Sequence, residues 1–204
     1  MTSILTGDII NSRNVATQLW LPILKDAFNA VGTSPKTWEI YRGDSFQVEI
    51  NTIEDALLFA IKLKTALKKI KNLDVRIAIG IGAKNETFKN ITEGNGEAFI
   101  NSGFAFDNLL KKQNLAIKSP WPDFDNILNT SLALALLTMD NWTINSATFA
   151  EMYLKNPTLT QKIIAKKLNI SESSASERRK RAGLDEIMQL EQLYRDLINN
   201  KTTN

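Results

Sequence analysis

The sequence contains neither cysteine nor histidine among its 204 residues. Without cysteine there is no disulfide, thiolate metal ligand or thiol nucleophile, and without histidine there is no Ser-His-Asp triad, histidine base or histidine metal ligand. Any chemistry must therefore use carboxylates, amines, guanidinium groups, hydroxyls and the backbone. Of these groups, carboxylates favour hard ions such as Mg²⁺ or Mn²⁺.

Long hydrophobic runs and a basic leader are also missing. The first ten residues, MTSILTGDII, have no basic segment before an apolar stretch, as a signal peptide would. The most apolar later run, SLALALLTM (131–139), is too short to cross a bilayer and predicts a buried helix. We therefore expect a cytoplasmic protein with no membrane partner.

Charge is distributed unevenly along the chain, although its total is only +3. Residues 155–182 contain eight Lys and Arg against two Glu, which gives this segment +6 and leaves the remainder at −3. A basic segment on an otherwise acidic protein indicates a polyanionic partner.

Hydrophobic periodicity predicts an α+β protein whose front half has the order βαββαβ, the ferredoxin-like order. The predicted strands are residues 3–6, the two arms of a hairpin over 38–50, 74–82 and 115–117, and the predicted helices are 15–31, 53–70 and 97–112. Two prolines in 119–124 indicate a linker between a first domain, 1–118, and a helical domain, 125–204.

Two aspartates are candidates for a metal site in the front half. Asp8 is expected at the end of the first strand, and Asp44 lies in the turn of the hairpin. The ferredoxin-like order places this strand beside the hairpin, so the two carboxylates are expected to meet and to bind Mg²⁺ or Mn²⁺. The Ile9 carbonyl could add an oxygen ligand. The alternative is that both aspartates only stabilise turns.

Three segments resemble the class III nucleotidyl cyclases and the related GGDEF diguanylate cyclases in order and spacing. They are Thr6-Gly7-Asp8-Ile9, Arg42-Gly43-Asp44-Ser45-Phe46 and the strand from Arg76 to Gly82, followed by a helix within 96–110. The resemblance implies a nucleotidyl-cyclase-like fold with a metal at Asp8, Ile9 and Asp44. It also implies a nucleotide near Gly7, Arg13, Arg42, Gly43, Arg76 and Asn101.

The same resemblance argues against efficient turnover. If Asn101 takes the place of the family's helix asparagine, Ala105 stands where the cyclases have an arginine that stabilises charge in the transition state. Trp38 to Tyr41 stand where the family has a purine-selecting lysine. We therefore expect a domain that binds a nucleotide without converting it, or that binds none.

Residues 160–183 match the spacing of a helix-turn-helix. Thr160 and Ser171 are expected to cap its two helices, and Asn169 is suited to the left-handed turn between them. Ile163, Ile164, Ala165 and Leu168 are expected to form the inner side of the first helix.

The second helix is expected to enter the major groove of DNA with its first residues at the base edges. Ser173, Ser176 and Glu177 are the expected base contacts. The expected phosphate contacts are Lys166, Lys167, Arg178, Lys180 and Arg181. The alternative is that residues 178–181 are only a solvated charge cluster. Arg179 has no evident role, because it stands where many such helices have an apolar residue.

The whole chain resembles the SatD family of bacterial proteins. The segments that match are Gly7 to Arg13, Gly43 to Gln47, Arg76 to Gly82, and Trp142-Thr143 ahead of Thr160. This resemblance implies a transcriptional regulator. A homodimer is expected, with the apolar stripe of residues 184–198 packed either on a second copy or on its own chain.

Three functions follow from these features. The first is a DNA-binding transcriptional regulator whose front domain is a degenerate cyclase-like sensor or dimerisation domain. The second is a metal-dependent nucleotide cyclase or phosphohydrolase that uses Asp8 and Asp44 and is regulated by the C-terminal part. The third is a protein-interaction adaptor in which the aspartate pair is a relic.

Overall fold

The structure, a computed structural model, describes residues 1–85, 88–110 and 113–203. It confirms an α+β protein with one five-stranded sheet. The strands are β1 (Thr2–Ile10), β2 (Trp38–Tyr41), β3 (Ser45–Ile50), β4 (Asp74–Gly82) and β5 (Leu115–Lys118). The α-helices are α1 (Thr17–Asn29), α2 (Ala56–Lys68), α3 (Glu97–Asp107), α4 (Pro122–Met139), α5 (Ile144–Lys155), α6 (Gln161–Lys167), α7 (Glu172–Arg181) and α8 (Leu184–Thr202). Among the described residues, no helix is long and apolar enough to cross a membrane.

The sheet has the strand order β2-β3-β1-β4-β5, with β1 at its centre. Strand β1 pairs antiparallel with β3 on one side and with β4 on the other, whereas β4 and β5 are parallel. The prediction that the first strand ends at residue 6 was wrong, because both neighbours continue to pair with β1 beyond Gly7. Asp8 therefore lies within the strand and directly opposite Arg76.

The sheet is covered differently on its two faces. Helices α1 and α2 pack on the face that contains Leu5 and Ile9, within the main hydrophobic core. The other face carries α3, where Ile4 packs with Ala98 and Phe99. Because side chains alternate along a strand, Asp8 lies on the same face as Ile4.

The helical half shares its core with the front half. One cluster of buried apolar side chains includes Leu5 on the central strand and Ile198 on the last helix. The Tyr194 hydroxyl donates a 2.5 Å hydrogen bond to the Ile53 carbonyl and thereby ties α8 to the start of α2. Half of the predicted linker, 119–124, is helical, because α4 begins at Pro122.

Helices α6 and α7 begin where the sequence predicts. The Thr160 hydroxyl accepts from the Ile163 amide, and the Ser171 hydroxyl accepts from the Ser174 amide. Asn169 has a φ of 52°, as the expected left-handed turn requires. Trp142 Nε1 donates a 2.8 Å hydrogen bond to the Ala182 carbonyl and so fixes the end of α7 to the start of α5.

Several details differ from the sequence prediction. The helix predicted over 97–112 ends at Asp107, and residues 111 and 112 lie outside the described part of the chain. Ile163 was expected to be internal but is 43% exposed, because the short helix α6 buries only Ile164 and Ala165. The apolar stripe of α8 packs on its own chain, with Leu184, Ile187, Leu190 and Ile198 buried in the core.

Candidate functional site

Asp8 and Asp44 meet at one pocket, as the sequence predicts. The Ile9 amide donates a 3.3 Å hydrogen bond to the Asp44 carbonyl, which holds the hairpin turn beside β1. Both aspartates line a pocket of about 440 Å³, and so do Ile9, Arg13 and Arg76. The two aspartates therefore line the same pocket, Asp8 from β1 and Asp44 from the hairpin turn before β3.

The Asp8 carboxylate is already paired with Arg76. Arg76 Nε donates to Asp8 Oδ1 at 2.9 Å, and Arg76 Nη2 donates to Asp8 Oδ2, so the contact is bidentate. The guanidinium carbon also lies 5.5 Å from the centre of the Phe106 ring on α3. The hydrogen bond to Asp8 raises the pKa of Arg76 above its ordinary value, against a smaller opposing effect of burial.

The Asp44 carboxylate also has a partner within the chain. Ser12, in the 3-10 turn after β1, donates its hydroxyl hydrogen to Asp44 Oδ2. Across the part of the chain that the structure describes, no three acidic side chains form a group that could hold a metal ion. The carboxylates as arranged do not fit a divalent ion, since Asp8 would first have to release Arg76.

Of the other residues predicted to lie near a nucleotide, only some line this pocket. Arg13 lies exposed at the rim of the pocket. Arg42 and Gly43 form the hairpin turn, with φ of 51° and 93°. Gly7 has a packing role, because a Cβ there would lie 2.3 Å from Phe46 Cζ.

Asn101 is not brought to this pocket. Its side-chain amide donates a 2.8 Å hydrogen bond to the Ile81 carbonyl, and Ile81 is five residues beyond Arg76 on β4. At the rise of an antiparallel strand this separation is about 17 Å. Ala105, the residue in place of the cyclase arginine, is 8% exposed on the buried side of α3.

Two residues of the pocket, Ser12 and Asn114, carry no signal in the sequence that would place them there. Ser12 lies four residues after Asp8 and holds Asp44, but a serine in a short turn gives no signal of that partner. Asn114 lines the pocket from just before β5, and only the parallel pairing of β5 with β4 brings it there. Tyr41 on β2 lies outside the lining of this pocket. Burial raises the pKa of its hydroxyl, Arg42 partly offsets this rise, and the charge of Asp8 adds to it.

The second candidate site is the outer surface of α7. Only Ala175 of this helix is buried, and it packs into the main core. The exposed side chains include the predicted base contacts Ser173, Ser176 and Glu177 as well as Ser171, Lys180 and Arg181. Lys166 and Lys167 are exposed at the end of α6.

Two of the predicted DNA contacts are less free than expected. Arg178 is half-buried. Glu177 forms an ion pair of 3.1 Å with Arg181 one turn further along α7, and both side chains are largely exposed. A base contact by Glu177 would therefore compete with this intrahelical pair, which is worth only a few tenths of a kcal/mol, roughly 0.3–0.5.

Arg179 has a structural role that the sequence did not reveal. Its guanidinium donates hydrogen bonds to Asp185 on α8 and lies 5.2 Å from the centre of the Tyr153 ring on α5. The hydrogen bond raises the pKa of Arg179 and lowers that of Asp185. An arginine can occupy this normally apolar position because its stem packs on an aromatic ring while its head pairs with a carboxylate.

No protein-family model, no curated protein and no solved structure matches this chain.

Proposed function

We propose that this protein is a DNA-binding transcriptional regulator in which α6, the turn around Asn169 and α7 form a helix-turn-helix. The observation that carries the proposal is the exposed surface of α7, a rigidly mounted helix with serines at its first turns and cations at its last turns. The resemblance to the SatD family points to the same role.

The inner side of α7 is fixed to the neighbouring helices, as a recognition helix requires if its outer side is to contact DNA. Ala175 and the Trp142–Ala182 hydrogen bond hold the inner side of α7 against α5, and Arg179 joins it to α8. Ser173 and Ser176 are exposed near the N-terminal end of the helix, and the Ser173 hydroxyl shares a 2.9 Å hydrogen bond with that of Ser171. Serine hydroxyls donate and accept hydrogen bonds, so they can contact either base edges or phosphates in the major groove.

Charge supports DNA as the partner. Lys166, Lys167, Lys180 and Arg181 are exposed within the segment that carries +6. Lysine and arginine side chains that neutralise phosphates release counterions, and this release supplies much of the affinity for DNA. Glu172 and Glu177 are exposed on the same helix, so α7 carries charges of both signs, with its cations gathered in the last turns.

For the front half we propose a ferredoxin-like, nucleotidyl-cyclase-like domain that serves as a sensor or dimerisation domain. Support comes from the order β2-β3-β1-β4 and from the position of Asp8 and Asp44 at one pocket. A homodimer is part of the proposal, because regulators with this motif usually read two half-sites. The enzymatic and adaptor functions remain alternatives, the first of which needs a metal ion at Asp8.

The proposal is tested by selecting bound fragments from genomic DNA and measuring their affinity by gel shift. Lys180→Ala/Arg181→Ala should weaken binding to every fragment, since both side chains are expected at phosphates. Ser173→Ala/Ser176→Ala should instead reduce the difference in affinity between selected and random fragments, because these two serines are expected at base edges. Each single hydrogen bond lost at a base edge is expected to cost about 0.5–1.5 kcal/mol of discrimination.

A matched control is available on the front half. Lys25 and Lys36 are exposed, and neither side chain has an ion pair or hydrogen bond with the rest of the described chain. Lys25→Ala/Lys36→Ala removes the same charge as the α7 double variant and should leave DNA affinity nearly unchanged. Equal losses in both double variants would refute the assignment of α7.

A further inference from the structure

The pocket at Asp8 contains a cation of its own. Arg76 and Asp8 are directly opposite each other on paired strands, so the backbone register itself brings the guanidinium onto the carboxylate. The contact is bidentate, and bidentate arginine–carboxylate pairs are among the strongest hydrogen-bonded ion pairs in proteins. The pair is partly shielded, with the Asp8 side chain 22% exposed and that of Arg76 44% exposed.

Further contacts hold this arrangement. Phe106 lies beneath the guanidinium, so Arg76 is supported from α3 as well as from Asp8. Asp44 accepts from Ser12 and does not reach over to Arg76 as a direct hydrogen-bond partner within the described chain. One carboxylate is thus neutralised by an arginine, and the other is satisfied by a hydroxyl.

We propose that Arg76 is the resident cation of this pocket and occupies the place that a divalent ion would take between Asp8 and Asp44. Arg76 takes one acceptor site on each oxygen of Asp8 and holds its positive charge against the carboxylate, so a metal ion would have to bind beside the guanidinium or displace it. The positive charge of Arg76 also repels a second cation at this short range. The pocket is therefore closed to Mg²⁺ and Mn²⁺ by a residue of the chain, independently of whether α7 binds DNA.

The test is a Mn²⁺ titration of the full-length chain, followed by thermal unfolding and by the electron paramagnetic resonance signal of free Mn²⁺. Wild type should bind no Mn²⁺ at this pocket. Arg76→Gln should bind it and, with Mn²⁺ at 100 times the dissociation constant, should unfold about 5–10 °C higher than without Mn²⁺. Arg76→Gln/Asp8→Asn should lose this response, which places the ion at Asp8.

Arg13→Gln is the matched control, because it removes the same charge from the rim of the same pocket without freeing Asp8. It should not gain Mn²⁺ binding. Circular dichroism without metal shows whether Arg76→Gln folds. If it does not, Arg76→Met, which keeps an unbranched apolar side chain beside Phe106, is titrated in its place.

Three results would overturn the proposal. One is Mn²⁺ binding by wild type that Asp8→Asn abolishes, which would mean that the ion displaces Arg76. Another is an equal gain in Mn²⁺ affinity in Arg13→Gln and Arg76→Gln, which would mean that removing any positive charge near the pocket is sufficient. The third is no Mn²⁺ response in the folded Arg76 variants, which would mean that Arg76 does not stand in for an ion. Because no DNA is present, none of these results bears on the function of α7.

Discussion

Lys64 is the side chain whose loss should most directly show that the sheet and the helical half depend on each other. It is 2% exposed on α2, and its Nζ lies 2.7 Å from Asp74 Oδ1 on β4 and 2.6 Å from Asp140 Oδ1 after α4. One buried amine thus neutralises carboxylates from both halves of the chain.

Lys64→Met keeps the length of this side chain and removes its charge. Breaking a buried ion pair by removing one partner typically costs 3–5 kcal/mol, because the remaining charge is left uncompensated. In a chain of this size each kcal/mol lowers the unfolding midpoint by about 2–4 °C, so a fall of roughly 6–20 °C is expected. Lys68 Nζ lies 3.3 Å from Asp74 Oδ2 and still neutralises part of that carboxylate's charge in the variant. We therefore expect a fall near the lower end of this range.

The assay is thermal and urea unfolding at neutral pH, with Lys62→Met as the control. Lys62 is exposed on the same helix and has no ion pair within the described chain, so its substitution should change stability by less than about 0.5 kcal/mol. Adding Asp74→Asn to Lys64→Met should recover part of the lost stability, because it removes one of the carboxylate charges that Lys64 neutralised. Equal midpoints for Lys64→Met and wild type would refute the reasoning.

Three further predictions concern packing, the mounting of α7 and pH. Gly7→Ala should destabilise the fold by about 1–3 kcal/mol in urea unfolding, because its Cβ would lie 2.3 Å from Phe46 Cζ and 2.5 Å from the Arg76 carbonyl oxygen on the neighbouring strand. Arg179→Met should cost no more than about 1 kcal/mol, because the carboxylate it loses, Asp185, is 58% exposed, and gel shifts should show a smaller loss of DNA affinity than for Lys180→Ala/Arg181→Ala. Burial opposes ionisation of Glu151, but hydrogen bonds from lysines outweigh it and lower the pKa below 4.5. Its contribution to stability should therefore be complete above about pH 4.5 and fall as the pH drops through the lowered pKa, and Lys69→Met should show a smaller fall in acid unfolding curves.

Local signals predicted much of the fold. Alternating Val75, Ile77 and Ile79 identified β4, whose observed bounds are those predicted. Hydroxyl caps at Thr160 and Ser171 identified the starts of α6 and α7, because capping is a local hydrogen bond between residues three apart.

Features set by contacts between distant residues were not predicted. The length of β1 depends on pairing with two strands, and the Asp8–Arg76 ion pair joins residues 68 positions apart. The sequence placed both residues at one site but could not reveal that they neutralise each other. Arg179 likewise gained a role only when the fold brought Asp185 and Tyr153 beside it.

The central claim is most directly tested by the salt dependence of DNA affinity, measured by fluorescence anisotropy on a selected fragment. For wild type, the logarithm of the association constant should fall linearly with the logarithm of salt concentration. Lys180→Ala/Arg181→Ala should reduce the slope by about 2, one unit for each lost phosphate contact. An unchanged slope, or a slope reduced equally by Lys25→Ala/Lys36→Ala, would contradict the account of α7 as the DNA-binding helix.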